Sequence, residues 1–106
     1  MSEASEIKRM GARPVSNSGR GIREKGDAVL EPFVVDIKEY NEGFTVNRTN
    51  WGKLQSDAFR TGMRLPAFML ALGSTETKEK LRLWVISDDM FKEMLEAWKE
   101  KYEVQD

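Results

Sequence analysis

Apolar residues along this chain recur with two different periods. The stretches "DAVL" (27–30) and "FVVDIKEY" (33–40) are rich in Val, Ile, Phe and Tyr, which predicts two strands with "EP" as the tight turn between them. "PAFMLAL" (66–72) is a continuous apolar run bounded by Pro66 and Gly73, the pattern of a fully buried strand. "LRLWVIS" (81–87) alternates in part and predicts another strand. Elsewhere the period lengthens. Trp51, Leu54 and Ala58 have helical spacing, with Thr49 or Asn50 as the expected cap and Gly62 at the C-terminal end. Phe91, Met94, Leu95, Trp98 and Tyr102 form a second helical stripe behind a Ser87 cap. Residues 3–10 predict a short helix, capped by Ser2 or Ser5 and ended by Gly11. "RPVS" (13–16) predicts a short strand, and "GFTVN" (43–47) an extension of the sheet.

The resulting order, αβββαββα, mixes a strand meander with crossover helices. It predicts an α/β (α+β) fold, a sheet covered by helices. At 106 residues the chain is expected to form one domain, residues 1–106, with a modest core. "NSGRGIREKG" (17–26) concentrates glycine and charge, so residues 16–25 are expected to be a mobile basic loop.

Two acids and a lysine interrupt the strand pair. Alternation places Val34, Asp36 and Lys38 on one face and Val35 and Ile37 on the other. If the hairpin turns at Glu31 and Pro32, Asp27 falls opposite Asp36. Directly opposed like charges destabilise a sheet. Either one carboxyl is protonated or a cation sits between the two, a divalent metal being the simplest. The competing reading has Asp27 serving the Gly26–Asp27 turn, with Asp36 and Lys38 facing solvent. Spacing alone does not separate the two. Proline does not suit the usual two-residue hairpin turn, and a three-residue loop would shift the pairing by one.

Composition narrows the chemistry. The chain has no cysteine and no histidine. That removes disulfides, thiolate nucleophiles, the commonest general base and the usual zinc ligands. A bound metal would be held by oxygen, which points to magnesium or manganese. No apolar run approaches the ~20 residues that span a bilayer, and the N-terminus lacks a signal-peptide segment, so a cytoplasmic location without a membrane partner is expected. The net charge of −1 does not suggest nucleic acid, but its distribution does. Lys8, Arg9, Arg13, Arg20, Arg23 and Lys25 face a single acid, Glu24, between residues 8 and 25, whereas the last helix is acid-rich. The bland alternative is a solvated loop.

At this point the chain resembles the PD-(D/E)xK nuclease superfamily, and within it the small phage and archaeal Holliday-junction resolvases. The matching elements are "SGRGIREKGD" (18–27), "VVDIKEY" (34–40) and "WGKLQSDAFRTGMRLPAFMLAL" (51–72), with the element order around them. They cover most of residues 3–86. The resemblance implies a restriction-endonuclease-like fold, a homodimer with two active sites, and Mg²⁺-dependent cleavage of four-way DNA junctions by paired nicks, Mn²⁺ substituting. It implies Asp27 and Asp36 as metal ligands, helped by the backbone carbonyl of Ile37, and Lys38 as the catalytic lysine. The glutamate that the family carries on its N-terminal helix corresponds to Glu6, or else Glu3. Ser18 falls in the loop that approaches phosphate. Two departures stand out. Asp36 replaces the commoner glutamate and reaches less far, and Gly26 stands where proline usually precedes the first aspartate.

Around that site, Arg20, Arg23 and Lys25 are expected to clamp DNA phosphates, with Lys53 a further candidate and Gln55 a weaker one. Trp51 and Trp98 are expected in the core rather than stacked on bases. Phe68, Met69 and Leu70 are expected in the core, and the Phe91–Tyr102 stripe is shared between core and dimer. Three functions follow: a junction-resolving endonuclease on branched DNA, a nicking or flap-type nuclease with the same active site, and a non-catalytic DNA-binding or assembly module. A phage-encoded member would act in the host cytoplasm.

Overall fold

The apolar periods become elements in the expected order. A computed structural model describes residues 3–15, 27–73 and 79–105, with Glu3, Ala4 and Asp27 described by their backbone alone. The elements are α1 (Glu3–Met10), β1 (Arg13–Pro14), β2 (Asp27–Leu30), β3 (Phe33–Tyr40), α2 (Arg48–Arg60), β4 (Leu65–Leu72), β5 (Leu81–Val85) and α3 (Asp88–Tyr102). The basic loop expected at 16–25, with Ser18, Arg20, Arg23 and Lys25, lies outside the described residues. No helix among the described residues is long and apolar enough to cross a membrane.

The five strands form one mixed sheet in the order β1-β2-β3-β4-β5. Neighbours are antiparallel except β3 and β4, which run parallel because α2 carries the chain back across the sheet. β4 is covered on both faces, which is why its sequence is apolar without alternation. Ala67, Met69 and Ala71 point to one face and pack with Val35, Ile37 and Ile7 of α1. Phe68 and Leu70 point to the other and pack with Val34 and with Leu54 and Ala58 of α2. Phe68, Met69 and Leu70 are thus core residues, as expected.

The doubtful hairpin closes at Glu31–Pro32 through a cis peptide, the form that accommodates proline at the third position of a type VI turn. A two-residue turn of this kind lies outside the usual glycine-asparagine set, so the sequence pattern leaves the register open. Glu31 also ties this turn to its surroundings. Its carboxylate accepts hydrogen bonds from Arg64 (2.6 and 2.9 Å) and Arg13 (3.1 Å), and Arg64 holds it below the usual carboxylate pKa range.

Two local expectations are corrected. "GFTVN" adds no strand: residues 43–47 run irregularly into α2, and Phe44 turns inward against Phe68, their ring centroids 5.4 Å apart. The helix cap is Asn47 rather than Thr49 or Asn50. Asn47 Oδ1 accepts from the Asn50 N–H, and Asn50 Oδ1 accepts from the Asn47 N–H, both at 2.9 Å, a reciprocal capping box. Asn47→Ala is expected to cost about 1 kcal/mol, because one initial helix N–H loses its acceptor. A urea titration should show the lower midpoint with an unchanged slope.

α3 begins at Ser87 as expected, whose hydroxyl accepts from the Met90 N–H. Its stripe departs from expectation. No residue of α3 is buried, and Trp98, expected in the core, keeps 53% of its surface exposed.

Candidate functional site

β3 supplies the groups with chemistry. In the observed register the backbone of Asp27 lies opposite Asp36, Ala28 opposite Val35 and Val29 opposite Val34. Across the parallel pairing, Asp36 is aligned with Phe68 and Lys38 with Leu70. Asp36 and Lys38 therefore share the face that α2 covers. The solvent-facing reading of these two does not hold: their side chains are 15% and 28% exposed.

Lys38 bends back toward the acid, its Nζ 3.4 Å from Asp36 Oδ2. The same ammonium sits 5.4 Å from the centroid of the Phe44 ring, within cation–π range. Phe44 in turn stacks on Tyr40 at 5.6 Å, and Trp51 meets Phe68 at 6.0 Å. Phe44 thus borders the lysine, at the centre of an aromatic group that runs from Tyr40 to Phe68 and Trp51. Phe44 escapes a reading of the sequence as a site residue because "GFTVN" has the composition of a strand. The signal lies in the glycine and asparagine that bracket it, which favour a turn and a helix cap.

Glu6 does not join this group. α1 packs on the opposite face of the sheet, through Ile7 against Val35 and Ile37. The Glu6 side chain is 2% exposed and accepts a double hydrogen bond from Arg82 of β5, at 3.0 Å each, with Arg9 adding a third at 3.1 Å. The Arg82 guanidinium chiefly holds the Glu6 carboxyl below its ordinary pKa, against the opposing effect of burial. On the same face, Lys80 pairs with Glu39. Glu6 is a structural acid that fastens α1 to the far strand, and Glu3 begins the same helix.

Lys53 lies on an exposed turn of α2, its Nζ 3.9 Å from Asp57 Oδ2. It faces solvent and can meet a phosphate there without rearrangement of the core.

The donors at this site are carboxylate oxygens, the ligand type a hard divalent cation takes. Among the described residues no cluster of three or more His, Cys, Asp or Glu side chains converges. What β3 offers is one largely buried carboxylate, with a second aspartate at the facing register step. Magnesium takes one or two protein carboxylates when phosphate and water complete its shell. Comparison with protein-family models, curated proteins and solved structures finds no match to this chain.

Proposed function

We propose that this chain is a metal-dependent DNA endonuclease that resolves four-way junctions by paired nicks. The observation that carries the reading is the hairpin register. It sets Asp27 at the step facing Asp36, with Lys38 two residues on and 3.4 Å from the Asp36 carboxylate. Asp36, Asp27 and the Ile37 carbonyl would hold a magnesium ion, which supplies charge against the scissile phosphate and acidifies water. Asp36 stands on a central strand with its side chain only 15% exposed, so the sheet itself brings a carboxylate to the site. Lys38, steered by Asp36 and bordered by Phe44, presents an ammonium where negative charge grows on the phosphate oxygens. Neither role needs histidine or cysteine. Arg20, Arg23, Lys25 and Lys53 are the phosphate contacts of this reading, with Ser18 beside them.

The test is a cleavage assay on a synthetic four-way junction with a linear duplex of the same sequence as control, with Mg²⁺, with Mn²⁺ and with chelator. The expected result is metal-dependent, symmetric nicking of the junction and slow cutting of the duplex. Equal rates on both substrates would move the reading to a nicking or flap-type nuclease. Tight binding without cutting under either metal would leave a DNA-binding module.

A further inference from the structure

β3 outruns its neighbour β2. Their antiparallel pairing ends at Asp27 opposite Asp36, whereas the parallel pairing with β4 runs on to Tyr40 opposite Leu72. Lys38 and Tyr40 stand on the stretch of β3 beyond that rung, and alternation sends both to the face that carries Asp36. Tyr40 keeps 48% of its surface exposed. The ring is nonetheless held in place. Phe44 lies nearly parallel to it, with centroids 5.6 Å apart and planes inclined by 20°. Phe44 in turn rests against the fully buried Phe68 and has the Lys38 ammonium 5.4 Å from its centroid. The core therefore supports Phe44, and Phe44 supports one face of an exposed ring two residues from the lysine.

We infer that Tyr40 is a specificity residue whose open ring face stacks on a DNA base at the branch point, while the phosphate of the same nucleotide lies at Lys38. The inference rests on the nuclease reading of the Asp36–Lys38 pair and adds to it the group that selects branched DNA. Two residues along a strand span roughly 6.6 Å, a step of the size that separates a nucleotide's phosphate from its base. Phosphate and base can thus meet successive side chains of one sheet face. A cation beside a flat apolar ring suits a ligand that joins an anion to a flat ring, as a nucleotide does. Stacking accepts every base, because every base has a π face, so this contact reads structure and not sequence. In a linear duplex both faces of a base are covered by its neighbours, and drawing it out is costly. Where strands change partners the stack is interrupted and that cost falls. Little ordering remains to be done on the protein side, since Phe44 already fixes the Tyr40 ring.

The experiment titrates the full chain against a labelled four-way junction and a linear duplex of the same sequence, in chelator, and follows fluorescence anisotropy. Tyr40→Phe keeps the ring and should bind the junction as the parent does. Tyr40→Leu keeps apolar bulk without a π face and should lose roughly 5- to 100-fold in junction affinity, the range of one lost base–aromatic stack, with little change on the duplex. A direct readout places 5-iodouracil at each position beside the branch point. Ultraviolet irradiation should attach one of these bases to Tyr40, located by mass spectrometry of the digested complex, and the same base inside the linear duplex should not attach there. Parent affinity in Tyr40→Leu, an equal loss in Tyr40→Phe, or no adduct at Tyr40 would overturn the inference. Cleavage with Mg²⁺ on the same preparations keeps the two readings apart. A parent that shows the Tyr40 effects and never cuts keeps the stacking contact and removes the nuclease. A parent that cuts while Tyr40→Leu binds normally removes the stacking contact alone.

Discussion

Lys38→Met is expected to slow metal-dependent junction cleavage by about 10²–10³-fold, the usual cost of removing one fixed donor to developing charge. The methionine keeps a flexible apolar stem beside Phe44 and deletes only the ammonium. Circular dichroism should stay that of the folded parent, while the thermal midpoint should fall modestly, because the largely buried Asp36 carboxylate loses its neighbouring cation. Affinity for the junction should fall little, since binding to DNA is distributed over many phosphate contacts and one lysine is a small part of it. Asp36→Asn should remove cleavage at least as completely. It retains the shape of the side chain but takes away the charge that steers Lys38 and would hold the metal. Single-turnover cleavage with a parallel gel-shift titration separates the two effects. Cutting at the parent rate in both variants would dismiss this pair as the active site. A parallel loss of binding and cutting would point instead to a folding defect.

The second large effect lies on the other face of the sheet. Glu6→Gln should destabilise the fold by about 2–3 kcal/mol, since it leaves Arg82 facing a neutral amide in place of its buried carboxylate. The figure sits below the usual cost of breaking a buried pair because the Arg82 side chain is 30% exposed and keeps some water. For a chain of this length the thermal midpoint should drop by roughly 10 °C. The pH dependence supplies a second signature. The folded Glu6 carboxyl titrates below the 4.5 of its unfolded state, chiefly because Arg82 donates to it. The unfolded chain therefore binds more protons as the pH falls below 4.5, and stability rises with pH in that window. The contribution is complete above the unfolded value and is lost as the pH falls through the folded one. Denaturation curves between pH 3 and pH 6 should show this limb weakened in Glu6→Gln (about one titrating carboxyl fewer). An unchanged limb would mean that other carboxylates dominate it.

Several features are legible in the amino-acid sequence because they depend on local pattern. The order of the eight elements follows from local pattern, apart from the strand expected at 43–47 that does not form, and β4 is recognisable as a buried strand from its unbroken apolar run. Ser87 caps α3 where a serine precedes the apolar stripe. The α2 cap is harder to read: the sequence pattern points to Thr49 or Asn50, whereas Asn47, at the end of a stretch with strand composition, is the cap. Which of them caps is decided by where the chain leaves β3 and turns over Phe68. Glu6 resembles a site acid by its place on the first helix. Its partner Arg82 is 76 residues away along the chain, and no spacing rule links them.

The sequence by itself determined most of the elements, the alternation that sends Val34, Asp36 and Lys38 to one face, and the exclusion of thiolate and imidazole chemistry in a chain without cysteine or histidine. Tertiary structure decided the rest. It closed the hairpin at Glu31–Pro32 and so set Asp27 against Asp36, where a slip of one residue would have parted them. It put Glu6 and Asp36 on opposite faces of the sheet, and it left the α3 stripe uncovered. The physical reason is common to all three. Periodicity is written in neighbouring residues, whereas register, layer and exposure depend on contacts between residues far apart in the chain.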